Sequence, residues 1–172
     1  MTTVAELKQA AIAAIEARKD EIKDIAQQVL NNPETGFTEQ KTASLVKKHF
    51  DALGISYQDS LAITGIKGKV AGGAGPGPAV AVIGELDSMV VPGHAIEDSV
   101  THAAHACGHH IQIGNMLGVA AGISASGVLD ELSGNIIFMA VPAEEYIELD
   151  QTLDAAFHIL EIASKNRHAL FH

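Results

Sequence analysis

The segment His105-Ala106-Cys107-Gly108-His109-His110 holds the only cysteine of the chain. A thiol and an imidazole two residues apart form a donor pair for a transition metal. Zinc accepts Cys sulfur, His nitrogen and carboxylate oxygen, and a catalytic site keeps one position open for water. Farther along, Pro142-Ala143-Glu144-Glu145 closes an apolar run with two adjacent carboxylates. Neighbouring side chains leaving a strand point in different directions. One carboxylate can therefore ligate a metal while the other takes a proton from water. These are the parts of a hydrolytic metal site.

Each part also has a plain reading. A lone cysteine is most often a small buried hydrophobe, and glutamate pairs are usually only solvated. Further histidines at 102, 105 and 110, and the glycine that frees the backbone at 108, shift the balance toward metal. A nucleophilic Cys107 with a histidine base is the other chemistry open to the motif, but it leaves Glu144 and Glu145 without a role. Asp87, just past the apolar run 79–84, is placed to orient a metal-binding imidazole. Glu85 reads either as a neighbour of the site or as a solvated strand end. His102, His105 and His110 read as added ligands, orienting groups or loop residues. His94 reads as a loop residue, and His158, His168 and His172 as solvent-exposed.

The elements that must position these groups follow from periodicity. Thr3 and Glu6 have capping-box spacing, and Leu7, Ala11, Ile15, Ile22, Ile25 and Val29 share a helical face up to Asn31-Asn32-Pro33. Pro33-Glu34-Thr35-Gly36 is a turn. A second helix is predicted from Thr38 to Leu53, with Ala43, Val46, Phe50 and Leu53 inward and Gly54 as its stop. Strand signal covers 63–70, then a Gly/Pro-rich loop runs through 72–78. The run 79–84 reads as a strand buried on both faces, 108–124 as a helix, and 135–141 as another buried strand. The tail 153–172 reads as an amphipathic helix with Leu153, Phe157, Leu160 and Ile162 inward. This order predicts an α/β three-layer sandwich with a mainly parallel sheet. Ligands in such sheets sit beyond the carboxyl ends of the strands, where Asp87, the Cys-Gly-His loop and Glu144-Glu145 all fall.

Bulk properties narrow the function. The 172 residues suffice for one domain, and 47% are apolar. With no tryptophan, the core must rest on aliphatic residues. A formal charge of −10 argues against nucleic acid or an anionic membrane as partner. No apolar run reaches the length of a membrane span. One cysteine cannot close an internal disulfide, and the first residues show neither basic nor apolar signal regions, so a cytoplasmic protein is expected.

Three ordered motifs resemble one family: Gly84-Glu85-Leu86-Asp87-Ser88, His105-Ala106-Cys107-Gly108-His109 and Val141-Pro142-Ala143-Glu144-Glu145. Together with Asn32-Pro33-Glu34-Thr35-Gly36-Phe37, they look like the metal-dependent amidohydrolases and metallopeptidases. That family includes hippurate hydrolase, auxin-conjugate hydrolases and aminobenzoyl-glutamate utilisation proteins. The likeness covers roughly residues 1–150, which the resemblance makes the N-terminal part of a zinc-peptidase-like catalytic domain. It implies Cys107, His109 and Glu145 as ligands of zinc or manganese, as one ion or a pair, and Glu144 as general base. It also implies hydrolysis of an amide joining an acyl or aroyl group to an amino acid. His110 stands where relatives commonly carry Asp or Asn. Relatives also continue into further ligands and a capping, dimerising domain. From Asp150 the resemblance ends, so 151–172 is expected to be divergent or truncated, and the chain alone is expected to have little amidase activity. The reading of a different class is a non-catalytic folded remnant that binds metal weakly or not at all, or self-associates through its exposed sheet edge.

Overall fold

The computed structural model describes residues 2–145. The expected tail helix, with His158, His168 and His172, lies outside them.

Three helices open the chain: α1 (Val4–Glu16), α2 (Lys19–Leu30) and α3 (Gln40–Leu53). The capping box at Thr3 and Glu6 is formed, each side chain bonding the other's backbone N–H. Where sequence periodicity gave a single helix, the structure breaks it at Ala17-Arg18. The break falls at the gap between Ile15 and Ile22 in the apolar stripe, where Arg18 and Lys19 would otherwise sit on the buried side. The first turn of α3 is capped from a distance: the Glu34 carboxylate accepts the backbone N–H groups of Lys41 and Thr42. Gly54 ends α3 in the left-handed region that glycine adopts without steric penalty.

The main sheet contains β1 (Ser56–Leu61), β2 (Gly65–Ala71), β3 (Ala79–Glu85) and β6 (Asn135–Val141), in the order β1-β2-β6-β3. Two short strands, β4 (Met89–Val90) and β5 (Ala103–Ala104), pair by themselves. Helix α4 (His109–Ala125) carries the chain from β3 back to β6, which pair in parallel.

The expectation of a mainly parallel sheet is corrected here. Among the described residues, β1 pairs with β2 and β2 with β6 antiparallel, and only β3 with β6 is parallel. The cause is the tight reversal at 62–64. Ala62 and Ile63 both take positive φ there, so β2 must run back along β1.

All four helices lie on one side of this sheet. Phe50 of α3 meets Phe138 of β6 with ring centroids 6.2 Å apart, and Ile66, Ile113, Met116, Leu117 and Ala140 complete the buried cluster. Helix α4 packs against the sheet and also against α1 and α2, which explains why it is apolar all round. Gly114, Gly118 and Gly122 form a stripe toward those helices. A Cβ at Gly118 would sit 2.7 Å from Ile22 Cδ1, and one at Gly122 would overlap Ile15.

The reading of 79–84 as buried on both faces is likewise corrected. β3 is an edge strand among the described residues, with Val80 59% and Ile83 54% exposed. The parallel register sets Gly84 beside Ala140 and Glu85 beside Val141. The two strands therefore end side by side, and so do the segments that follow them.

Candidate metal centre

The site is built at that shared strand end. Gly108 precedes α4 with φ 98°, and His109 is the first residue of the helix. The His109 side chain is thereby turned into the protein and is 3% exposed. Its Nδ1 lies 3.0 Å from the Asp87 carbonyl oxygen and 3.2 Å from Asp87 Oδ1. Nδ1 thus faces Asp87, and Nε2 faces the other way.

Three carboxylates converge on Nε2. Glu85 Oε2 lies at 2.6 Å, Glu144 Oε2 at 3.7 Å and Glu145 Oε1 at 3.9 Å. Gln112, one turn along α4, binds Glu85 twice: its Nε2 donates to the carboxylate and its Oε1 accepts the Glu85 backbone N–H. Asp87 is fully buried, and its Oδ2 accepts the Glu145 backbone N–H at 2.9 Å. Behind it, Ser88 donates its N–H and hydroxyl to the Glu34 carbonyl, tying this loop to the segment before α3.

Two sets of three donors have their atoms within 4.8 Å of one another: Cys107, His109 and Glu145, and Glu85, His109 and Glu144. The structure thus brings Cys107, His109, Glu144, Glu145 and Asp87 to one place. Cys107 is exposed at its rim. Its thiol is pushed up by partial burial, and the Glu145 and Asp87 charges add to that shift. A cation held there would reverse the charge balance and favour the thiolate.

The other histidines fall elsewhere. His105 is 3% exposed and stacks at an angle on His110, ring centroids 5.7 Å apart. Neither His105 nitrogen has a hydrogen-bond partner among the described residues. Burial, aided by His110 and His109, pushes the His105 imidazole down to about 4. His102 lies by Glu97 in the 91–102 loop, and His94 accepts the Ile96 N–H in the same loop.

Sequence reasoning missed Glu39 and Gln112. Gln112 sits three residues past His109, on the same helical face, a signal that could have found it. Glu39 carries no such signal. It is 0% exposed and precedes α3, yet its side chain makes no capping bond to the helix. It accepts the Thr64 hydroxyl at 2.6 Å and the Ala143 backbone N–H at 2.9 Å.

No family model matches the chain. Among curated proteins, an Arabidopsis thaliana IAA-amino acid hydrolase (ILR1-like 5) is 34% identical over 125 residues, covering 70% of this chain and 28% of the relative. A p-aminobenzoyl-glutamate hydrolase component of Escherichia coli is 31% identical over 144 residues, covering 77% and 28%. The chain matches the amidohydrolase and M20 peptidase family. The fold agrees: the Bacillus subtilis YxeP protein, described as a dinuclear metal binding peptidase of the M20 family, superposes with a TM-score of 0.66 at 22% identity. That match covers 83% of this chain and 40% of the other. The chain spans less than a third of the length of the two curated relatives.

Proposed function

We propose that this chain forms the N-terminal part of the catalytic domain of a metal-dependent amidohydrolase. The proposed substrate is a small N-acyl or N-aroyl amino acid, cleaved at its amide bond. One observation carries the reading: three carboxylates lie 2.6 to 3.9 Å from Nε2 of a buried imidazole, and a thiol forms a three-donor set with that imidazole and Glu145. The 2.6 Å contact with Glu85 is of hydrogen-bond length, while Glu144 and Glu145 stand farther off, at 3.7 and 3.9 Å. A divalent ion offsets the excess negative charge and suits the donor chemistry.

In this reading Cys107, His109 and Glu145 hold the ion. Asp87 fixes the tautomer and orientation of His109. Glu144, whose side chain is 52% exposed, is free to take a proton from water and deliver it to the leaving amine. The ion, when bound, supplies Lewis acidity and makes water more acidic. The thiolate leans toward zinc, whereas imidazole and carboxylate suit manganese as well. A second ion is proposed by likeness to the dinuclear peptidase. The substrate class follows the names of the two curated relatives, each a hydrolase of an amino-acid conjugate. A cytoplasmic location fits the lone cysteine. Among the described residues, no helix is long and apolar enough to cross a membrane.

A second reading, a non-catalytic chain that binds metal weakly or not at all, or self-associates, draws on the exposed β3 side chains Val80 and Ile83. Metal content and affinity of the wild type beside Cys107→Ala decide between them. Stoichiometric ion that is lost in the variant supports the metal centre, while no ion in either protein sinks it. Chelator-sensitive hydrolysis of N-acyl amino acids, abolished in Glu144→Ala, would extend the result to activity.

A further inference from the structure

We infer that Glu39 is a positioning residue for this centre: with Asp87, it clamps the backbone on both sides of Glu144. The inference rests on the reading of the site as a metal centre. Glu39 Oε1 accepts the N–H of Ala143, and Asp87 Oδ2 accepts the N–H of Glu145. Glu144 is the residue between them. Two carboxylates that are each 0% exposed therefore hold alternate amides of one short segment.

The segment needs holding. Ala143 has φ 56°, a left-handed conformation that residues with a Cβ avoid and that persists only where the surroundings fix it. This bend follows β6 directly and turns Glu144 and Glu145 toward His109. Pro142 before it has no N–H to contribute and lies close to Gly65 at the start of β2. The Ala143 N–H, bonded to Glu39, is thus the anchor of the bend.

Glu39 is also expensive to keep. No cationic side chain among the described residues pairs with it, and burial raises its carboxyl above the ordinary range. A buried carboxylate without a counter-charge is disfavoured. It also accepts the hydroxyl of Thr64, in the 62–64 reversal. Glu39 therefore joins three places far apart in sequence: the start of α3, the β1–β2 turn and the loop that carries the proposed base. An apolar residue would fill the same space without that cost. It could not hold the Ala143 amide.

The test uses the 172-residue chain with zinc alone as the probe, measured by chelator competition. Glu39→Met removes the acceptor at similar size, and Glu39→Gln keeps one. The expected result is a roughly 10- to 100-fold loss of zinc affinity in Glu39→Met, the size typical of outer groups around metal sites, and recovery of most of it in Glu39→Gln. In a Glu145→Ala background, Glu39→Met should have little further effect, because both changes act through the same ligand. A purely structural role would give additive losses instead. If Glu39→Met does not fold, Glu39→Ala beside Glu39→Gln provides the same comparison.

Unchanged zinc affinity in Glu39→Met overturns the inference and leaves the metal centre standing. If the wild type binds no zinc, the metal centre fails, and amide exchange at Ala143 then decides the clamp. Exchange much faster in Glu39→Met than in Glu39→Gln supports it, and equal exchange overturns it.

Discussion

Asp87 serves two masters at once. Its backbone carbonyl and Oδ1 face His109 Nδ1, while its Oδ2 holds the Glu145 amide. Asp87→Ala removes both side-chain contacts and leaves the carbonyl facing Nδ1, so the hold on the Glu145 amide is lost. Zinc affinity is expected to fall about 10- to 100-fold. Chelator competition on the variant checks this, and an unchanged affinity would deny Asp87 its orienting role. Glu39 gives a pH signature. Burial is the main cause that raises its carboxyl above 4.5, and the bonds from the Thr64 side chain and from the Glu39, Ala143 and Phe37 backbones only partly offset it. The folded chain thus keeps a proton that the unfolded chain has already released. Between pH 4.5 and the raised folded value, this group makes stability fall as pH rises. Glu39→Gln should flatten that slope in urea midpoints measured across the window; an equally steep slope would mean that the carboxyl is not the group responsible. The convergence of Cys107, His109, Glu144, Glu145 and Asp87 was legible because each lies at the end of an apolar run or beside the glycine that opens a helix. Glu39 was not, because its partner Ala143 is 104 residues away and no local pattern links them.

At the scale of elements, legibility followed burial. The capping box before α1, the inner face of α3 with its Gly54 stop, and the apolar run of β6 all express packing in local sequence. β1 does not. Its residues Ser56-Tyr57-Gln58-Asp59-Ser60-Leu61 lie at a sheet edge and are mostly exposed, so they show no apolar alternation. The antiparallel return of β2 was hidden for another reason. Ala62 and Ile63 make the reversal without the Gly, Asn or Asp that usually marks one. In α4 the glycine stripe is the decisive feature, since it sets how closely α1 and α2 approach. Gly122→Leu would drive a side chain into Ile15 and is expected to lower stability by about 1–3 kcal/mol. Urea denaturation measures it; a neutral result would show that α1 can move away freely.

At the scale of the molecule, the four helices cover one side of the sheet. Among the described residues the other side is bare, with Ile83 exposed on the outer strand. β3 has no proline and no charge before Glu85 to protect its edge. The chain is therefore expected to associate with itself at high concentration, and Ile83→Lys to shift it toward monomer. Sedimentation velocity checks both; a wild type that stays monomeric at high concentration would count against it.

The parallel pairing of β3 with β6 has a kinetic consequence. It joins Ala79 to Asn135 and Glu85 to Val141, so a long loop must close before either contact forms. The donors on Glu85 and Glu144-Glu145 meet only after that closure, whereas Cys107 and His109 are neighbours in any state of the chain. An ion added early in refolding would first meet a two-donor site, and would gain its carboxylates only when the sheet zips. The rate at which tight binding appears would then report the formation of this strand pair.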